Sequence, residues 1–265
     1  RSIDEMMILS ISMVFLIASP VFNSINGDGY GPPHLVLFDP PANGNWTVSG
    51  IEYHNDTIVL VNGNISISGT LILDNTSLRI NMSGGSPNTI HVETGGRLIA
   101  RNGSEIIGED FSPFFMEIES GTYVEINGSR VTGCGLPGYP PHQSGIYFET
   151  RNLYINNSMI IGGYMGLIGK GGNISMRDSS VNDIISVGLS LNDDSHAQAM
   201  DTNFTRITDT AVLVKNSTMN GDSVIFEEVG RSLHSIMSSV NMQLSLVSGT
   251  GVDAIYCESS TMVLD

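Results

Sequence analysis

The chain of 265 residues is short of cations, cysteine and tryptophan. Lysine and arginine together number 11 against 27 acidic residues, for a formal net charge of -16. Nucleic-acid binding needs a basic face, so this balance argues against it. It fits a self-repelling, soluble surface. Charged residues make up only 14% of the chain, which leaves Ser, Thr, Asn and Gly to clothe the surface, as in exported β-rich proteins. The two cysteines, Cys134 and Cys257, supply no disulfide framework and no redox pair. The 6 histidines fall at no zinc-ligand spacing. No phosphate-cradling loop and no nucleophile elbow is present. Apolar residues nowhere recur at helical spacing, which argues against helical repeats.

What is present is a period. Gly145-Ile146, Gly166-Leu167, Gly188-Leu189, Ala211-Val212, Ser232-Leu233 and Ala254-Ile255 form a series of a small residue followed by an aliphatic one, in steps of 21, 22, 23, 21 and 22. Near-constant spacing of this size means stacked repeats. A second apolar position follows at Leu153, Ile174, Ala197, Met219, Val240 and Met262, and a third at Ile160, Val181, Phe204, Phe226 and Val247. Side chains two apart share one face of a strand, so each unit reads as three short strands with turns between them. Between the second and third strands sits a short polar residue, Asn157, Asp178, Asp201 or Asp222, suited to a tight corner. The fold expected is all-β: a parallel β-helix of three-strand coils of about 22 residues. Its hand is right by the crossover rule.

These residues resemble the right-handed parallel β-helix repeat proteins, the pectin-lyase-like superfamily. The likeness is clean from Ser144 to Asp265 and looser from Asn64 to Gly133, where Asn75, Asn102 and Asn127 mark corners at steps of 27 and 25. The resemblance implies a fold rather than one activity, because the family includes lyases, hydrolases, adhesins and surface-layer components.

Residues 1–22 are expected to form a signal peptide or membrane anchor, the apolar run from Met6 to Phe22 being short for a bilayer span. Residues 23–44 read as a Gly/Pro-rich linker, 45–63 as an N-terminal cap with Trp46 over the open end, and 64–265 as the β-helix. The pattern is still running at Leu264, so the protein is expected to continue. Eleven Asn-x-Ser/Thr triplets start at Asn45, Asn55, Asn64, Asn75, Asn81, Asn102, Asn127, Asn156, Asn173, Asn203 and Asn216. They read as N-glycosylation sites or as corner chemistry of the coil. The combination resembles archaeal surface proteins, which implies an archaeal origin.

Candidate chemistry is sparse. Asp193, Asp194 and His196 place two carboxylates beside a histidine in one turn and are the candidate acid–base group of a glycosidase. The Gly-His-Gly and Arg-x-Lys signatures of the hydrolases in that family are absent. Asp178, Asp201 and Asp222 form one expected column and are the candidate calcium ligands, the alternative being that each caps its own corner. Asp183, Arg206 and Glu227 read as a surface ladder of two ion pairs. Cys257 is expected in the core and Cys134 in an exposed loop. The prolines of the segment 134–144 make it a loop breaking the coils, and loops on a rigid scaffold are where binding concentrates. The expected function is structural or adhesive, on a secreted or cell-surface protein whose partners are carbohydrate or neighbouring subunits. The alternative is a polysaccharide lyase, glycoside hydrolase or carbohydrate-binding module.

Overall fold

The computed structural model describes residues 40–41, 43–82, 85–243, 246–251 and 253–264. The expected export segment and nearly all of the expected linker lie outside the described residues. From Trp46 onward the chain winds as a parallel β-solenoid with three faces. The first coil runs through Trp46–Val48, Ile51–Asn55 and Ile58–Val61, one strand per face. The second face is a parallel sheet of 10 strands, ending at Thr261–Leu264. The first and third faces join into one sheet of 17 strands.

Alternation within each strand drives this winding. On the first face the inward row is Trp46, Ile65, Ile90, Met116, Ile146, Leu167, Leu189, Val212, Leu233 and Ile255, each paired in register with the next. All are buried except Ile255, which is 37% exposed. The second-face row Leu153, Ile174, Ala197, Met219, Val240, Met262 is likewise in register. So is the third-face row Ile160, Val181, Phe204, Phe226, Val247. Each fully buried aliphatic side chain contributes about 1.5–3 kcal/mol. The rows interlock by size. Phe204 and Phe226 stack with centroids 5.6 Å apart. Opposite them lies Gly188, where a Cβ would come within 3.2 Å of Phe204 and 2.6 Å of Ile207.

The segment 45–63 is itself a coil in register with the next one. Its inward positions on the second face are polar: Glu52 and His54 pair with Leu71 and Leu73, and the Trp46 indole N–H donates to Glu52 at 3.1 Å. Burial raises the Glu52 pKa above its ordinary value, against that hydrogen bond.

The corners are built from hydroxyls and left-handed residues. Asn157, Asp178 and Asp201 all have φ of 48°, a region that Asn and Asp enter more readily than most residues. Directly after them come buried hydroxyls. The Ser129 N–H donates to Ser158 Oγ (3.1 Å), and the Ser158 N–H to Ser179 Oγ (3.2 Å). Each hydroxyl in turn donates to a carbonyl of its own coil: Ser158 to Asn156 and Ser179 to Arg177, both at 2.6 Å. A matching ladder of Ser195, Ser217, Ser238 and Ser260 lines the corner between the first and second faces. These bonds satisfy backbone groups that the sheets cannot reach, whose burial unpaired costs about 1–3 kcal/mol each.

Four expectations need correction. Asn203–Lys215 and Ile225–Ile236 run unbroken from the third face of one coil into the first face of the next, without the expected turn. A single left-handed residue, Arg206 or Glu228 (φ 53° each), suffices to bend them. Thr205 pairs with Glu227, so the residue in register with Arg206 is Glu228. Only one ion pair of the expected ladder forms, bidentate from Arg206 to Asp183 at 2.6 and 2.8 Å. Cys134 is buried at 3% exposure, because it bridges to Phe114 beneath the loop it opens; burial pushes its thiol pKa up. Cys257 continues the inward row Leu191, Val214, Ser235 as its register requires, yet it is exposed. No further coil lies over it among the described residues.

Candidate functional site

From Tyr147 onward, the outward row of the first face reads Tyr147, Ile168, Ser190, Leu213, His234, Tyr256. Tyr147 and Tyr256 therefore share one row, which runs on before Tyr147 through Glu117 and His91. A second outward row, at the edge of the same face, holds Lys170, Asn192, Lys215, Ile236 and Glu258. Between these rows lies a cleft of about 360 Å³, with Ile168 and Ser190 as its floor and Lys170, Asn192 and Lys215 along one side. Pro141 and Tyr147 line it as well. The loop responsible turns through the short 3-10 helix Pro141–Gln143 and is tied down by rings: Tyr139 lies 5.3 Å from Phe115, and His142 lies 6.2 Å from Tyr147.

The cleft is polar and ordered. Asn192 Nδ2 donates to Ser190 Oγ (3.0 Å) and to the Gly169 carbonyl (3.3 Å), two acceptors that fix its carboxamide. The Tyr147 hydroxyl donates to Glu149 at 2.7 Å; burial and that bond raise its pKa well above the ordinary tyrosine range. Further along the face, burial and then the nearby Arg231 charge depress the His234 pKa. The His234 ring stands edge-on to Tyr256, with centroids 5.0 Å apart.

The structure disperses the expected acid–base group. Asp193 and Asp194 are consecutive left-handed residues (φ 52° and 65°), so they open to different grooves. Asp193 lines the first-face cleft, and Asp194 lines a groove along the next corner with Asn216 and Thr218. His196 starts a second-face strand, His196–Met200, and its Nδ1 lies 2.7 Å from Thr218 Oγ1. Of the candidate calcium ligands, Asp178 and Asp201 follow one another at the corner. Asp222 faces Met200 instead, and Ser223 takes the corner place after Asp201, because the coil from Asp201 is one residue longer than the spacing to Asp222 assumes. Among the described residues no group of three or more His, Cys, Asp or Glu side chains is placed to hold a metal ion.

No family model, no curated protein and no solved structure matches the chain. The parallel β-solenoid is therefore the level at which the chain is placed, and its functional surface has to be read from its own residues.

One such residue set escapes motif and period. Lys170 and Lys215 are the only lysines in the sequence. They stand one coil either side of Asn192 in one outward row, and both line the same cleft. Their rarity was visible in the composition. Their convergence was hidden by a separation of two repeats, with an uncharged residue between. The sequon asparagines divide differently. Asn45, Asn55, Asn64, Asn75, Asn102, Asn127, Asn203 and Asn216 are exposed, and Asn81, Asn156 and Asn173 are half-buried. In three triplets, those of Asn102, Asn127 and Asn156, the hydroxyl residue (Ser104, Ser129 or Ser158) is buried at a corner.

Proposed function

We propose that this is a non-catalytic structural or adhesive protein of a cell surface or of the secreted space, in which the β-helix is a rigid spacer and a face for holding glycans or a neighbouring subunit. The observation that carries this reading is the scatter of acids around an otherwise regular coil: Asp193, Asp194 and His196 share a turn but do not share a groove. Glycosidic hydrolysis needs an acid and a base facing one bond across about 5–9.5 Å. The exposed sequon asparagines support decoration with N-linked glycans, which need the carboxamide in solvent. The 22-residue repeat and the sequon density support kinship with right-handed β-helix repeat proteins of the pectin-lyase-like type found on archaeal surfaces. Calcium at Asp178 and Asp201 would be an accessory to this scaffold role, since two neighbouring corner carboxylates repel unless a cation or a backbone donor meets them.

The second reading, a polysaccharide-cleaving enzyme, is favoured only by the first-face cleft with Tyr147 and Asp193. Incubation of the purified protein with acidic and neutral polysaccharides, scored for reducing ends and unsaturated products, separates the two. The scaffold reading expects no product above a boiled control. Cleavage that disappears in Asp193→Ala would establish the enzymatic reading in its place.

A further inference from the structure

The stretch of the first face after Tyr147 differs in charge from the strand before it, where Glu117 pairs with Tyr147. Its four successive strand segments at Leu167–Lys170, Val187–Asn192, 210–215 and 231–236 carry Lys170, Lys215, Arg231 and His234 and no Asp or Glu, in a chain of net charge -16. Elsewhere, four of the arginines pair with carboxylates: Arg79 with Glu109, Arg101 with Asp74, Arg130 with Glu105 and Arg206 with Asp183. Neither lysine is within ion-pair distance of an acid among the described residues. Arg231 Nε and His234 Nε2 are buried without a hydrogen-bond partner among the described residues, Arg231 lying over the Tyr256 ring at 5.7 Å.

We propose that these four segments form one docking surface for a linear anionic glycan, a chain bearing carboxylates or sulfate esters, held across the strands without being cleaved. This rests on the adhesive reading above. Coils repeat at about 4.8 Å, so Lys170 and Lys215 stand roughly 10 Å apart with the Asn192 amide midway. Two cations about 10 Å apart can grip alternate charges of a chain that carries one on each sugar unit. The floor between them offers Ser190 and the apolar Ile168 and Leu213, and Tyr147 and Tyr256 stand in the same row on the coils before and after the four segments. Aromatic and aliphatic surfaces accept the apolar faces of sugar rings, while hydroxyls need acceptors as well as donors. Asp193 at the rim supplies such an acceptor. Glu117, in register with Tyr147, Glu149, next to Lys170, and Asp209 and Glu258 bound the surface. These acids oppose a densely charged polyphosphate, which is why a glycan is favoured over a nucleic acid.

Affinity electrophoresis of the full chain in gels containing polygalacturonate, dextran sulfate, neutral dextran or single-stranded DNA tests this, with the carboxylate and sulfate gels distinguishing the two sources of charge. The expected result is retardation by at least one of the two anionic glycans, none by dextran or DNA, and weakening of about tenfold or more in Lys170→Glu/Lys215→Glu. Arg177→Glu, on the second face, should bind as wild type. Lys170→Gln/Lys215→Gln, with melting temperature checked, serves if the charge reversal perturbs folding. The proposal is overturned by no retardation in either anionic gel, by retardation that the lysine variants leave unchanged, or by equal retardation in DNA. A glycan that is retained but shortened would instead overturn the adhesive reading on which the site rests.

Discussion

Leu189→Ala is expected to cost about 3–5 kcal/mol, the range for emptying a fully buried leucine site that cannot collapse. Leu189 lies in register between Leu167 and Val212, and all three are fully buried. The coils above and below hold the row at fixed spacing, so neighbours cannot slide in to fill the void. Because each coil of a solenoid leans on its neighbours, the loss should also loosen the adjoining coils. Gln198→Ala is the matched control, since Gln198 is the exposed residue between the buried Ala197 and Ala199; it should change stability by less than about 0.5 kcal/mol. Urea unfolding of the two variants checks both values. Equal effects would mean that the inward and outward rows are misassigned.

Gly166→Val is expected to be as damaging for the opposite reason. A Cβ at Gly166 would sit 2.3 Å from the Gly188 carbonyl oxygen and 3.0 Å from Val181 Cγ1. The first obstacle is backbone of the next coil, which cannot turn aside as a side chain can. Relief requires prising two coils apart, at about 3 kcal/mol or more, above the usual ~1–3 kcal/mol of overpacking because the obstacle is backbone. The larger small-residue members of the series, Ala211 and Ser232, show that the coil spacing adapts where the whole neighbourhood is built for it. An isolated valine has no such neighbourhood. Gly50 offers the contrast, with nothing within 4 Å of a Cβ and an ordinary φ, so Gly50→Ala should be neutral or stabilising by up to about 1 kcal/mol. Thermal melts of both variants decide the point.

The two cases explain what the sequence revealed and what it concealed. A row such as Leu167, Leu189, Val212 is written directly into the period, because every coil must refill the same inward place. Corners drift by a residue where a coil lengthens, which is why Ser223 stands where a periodic count puts Asp222, and Glu228 where it puts Glu227. Burial also depends on more than register. Cys257 has an inward register but is exposed, and Cys134 sits in a loop segment but is buried beneath it. The first-face surface was least legible of all. Its cations are single residues a repeat or more apart, and only the stacking of coils makes Lys170, Asn192 and Lys215 neighbours. The loop 134–144 was recognisable from its prolines, but not the cleft it forms with the strands beside it.

The stacking itself is tested most directly by cross-linking outward residues of adjacent coils. Ser175 pairs with Gln198, and Gln198 with Asn220, on the second face. In a background with Cys134 and Cys257 replaced, Ser175→Cys/Gln198→Cys should oxidise to a disulfide, because in-register Cα atoms of neighbouring strands lie about 4.8 Å apart. Ser175→Cys/Asn220→Cys, at twice that separation, should remain reduced under the same conditions. Bridging of the second pair, or failure of the first to bridge while the protein stays folded, would contradict the coil register on which every assignment above depends.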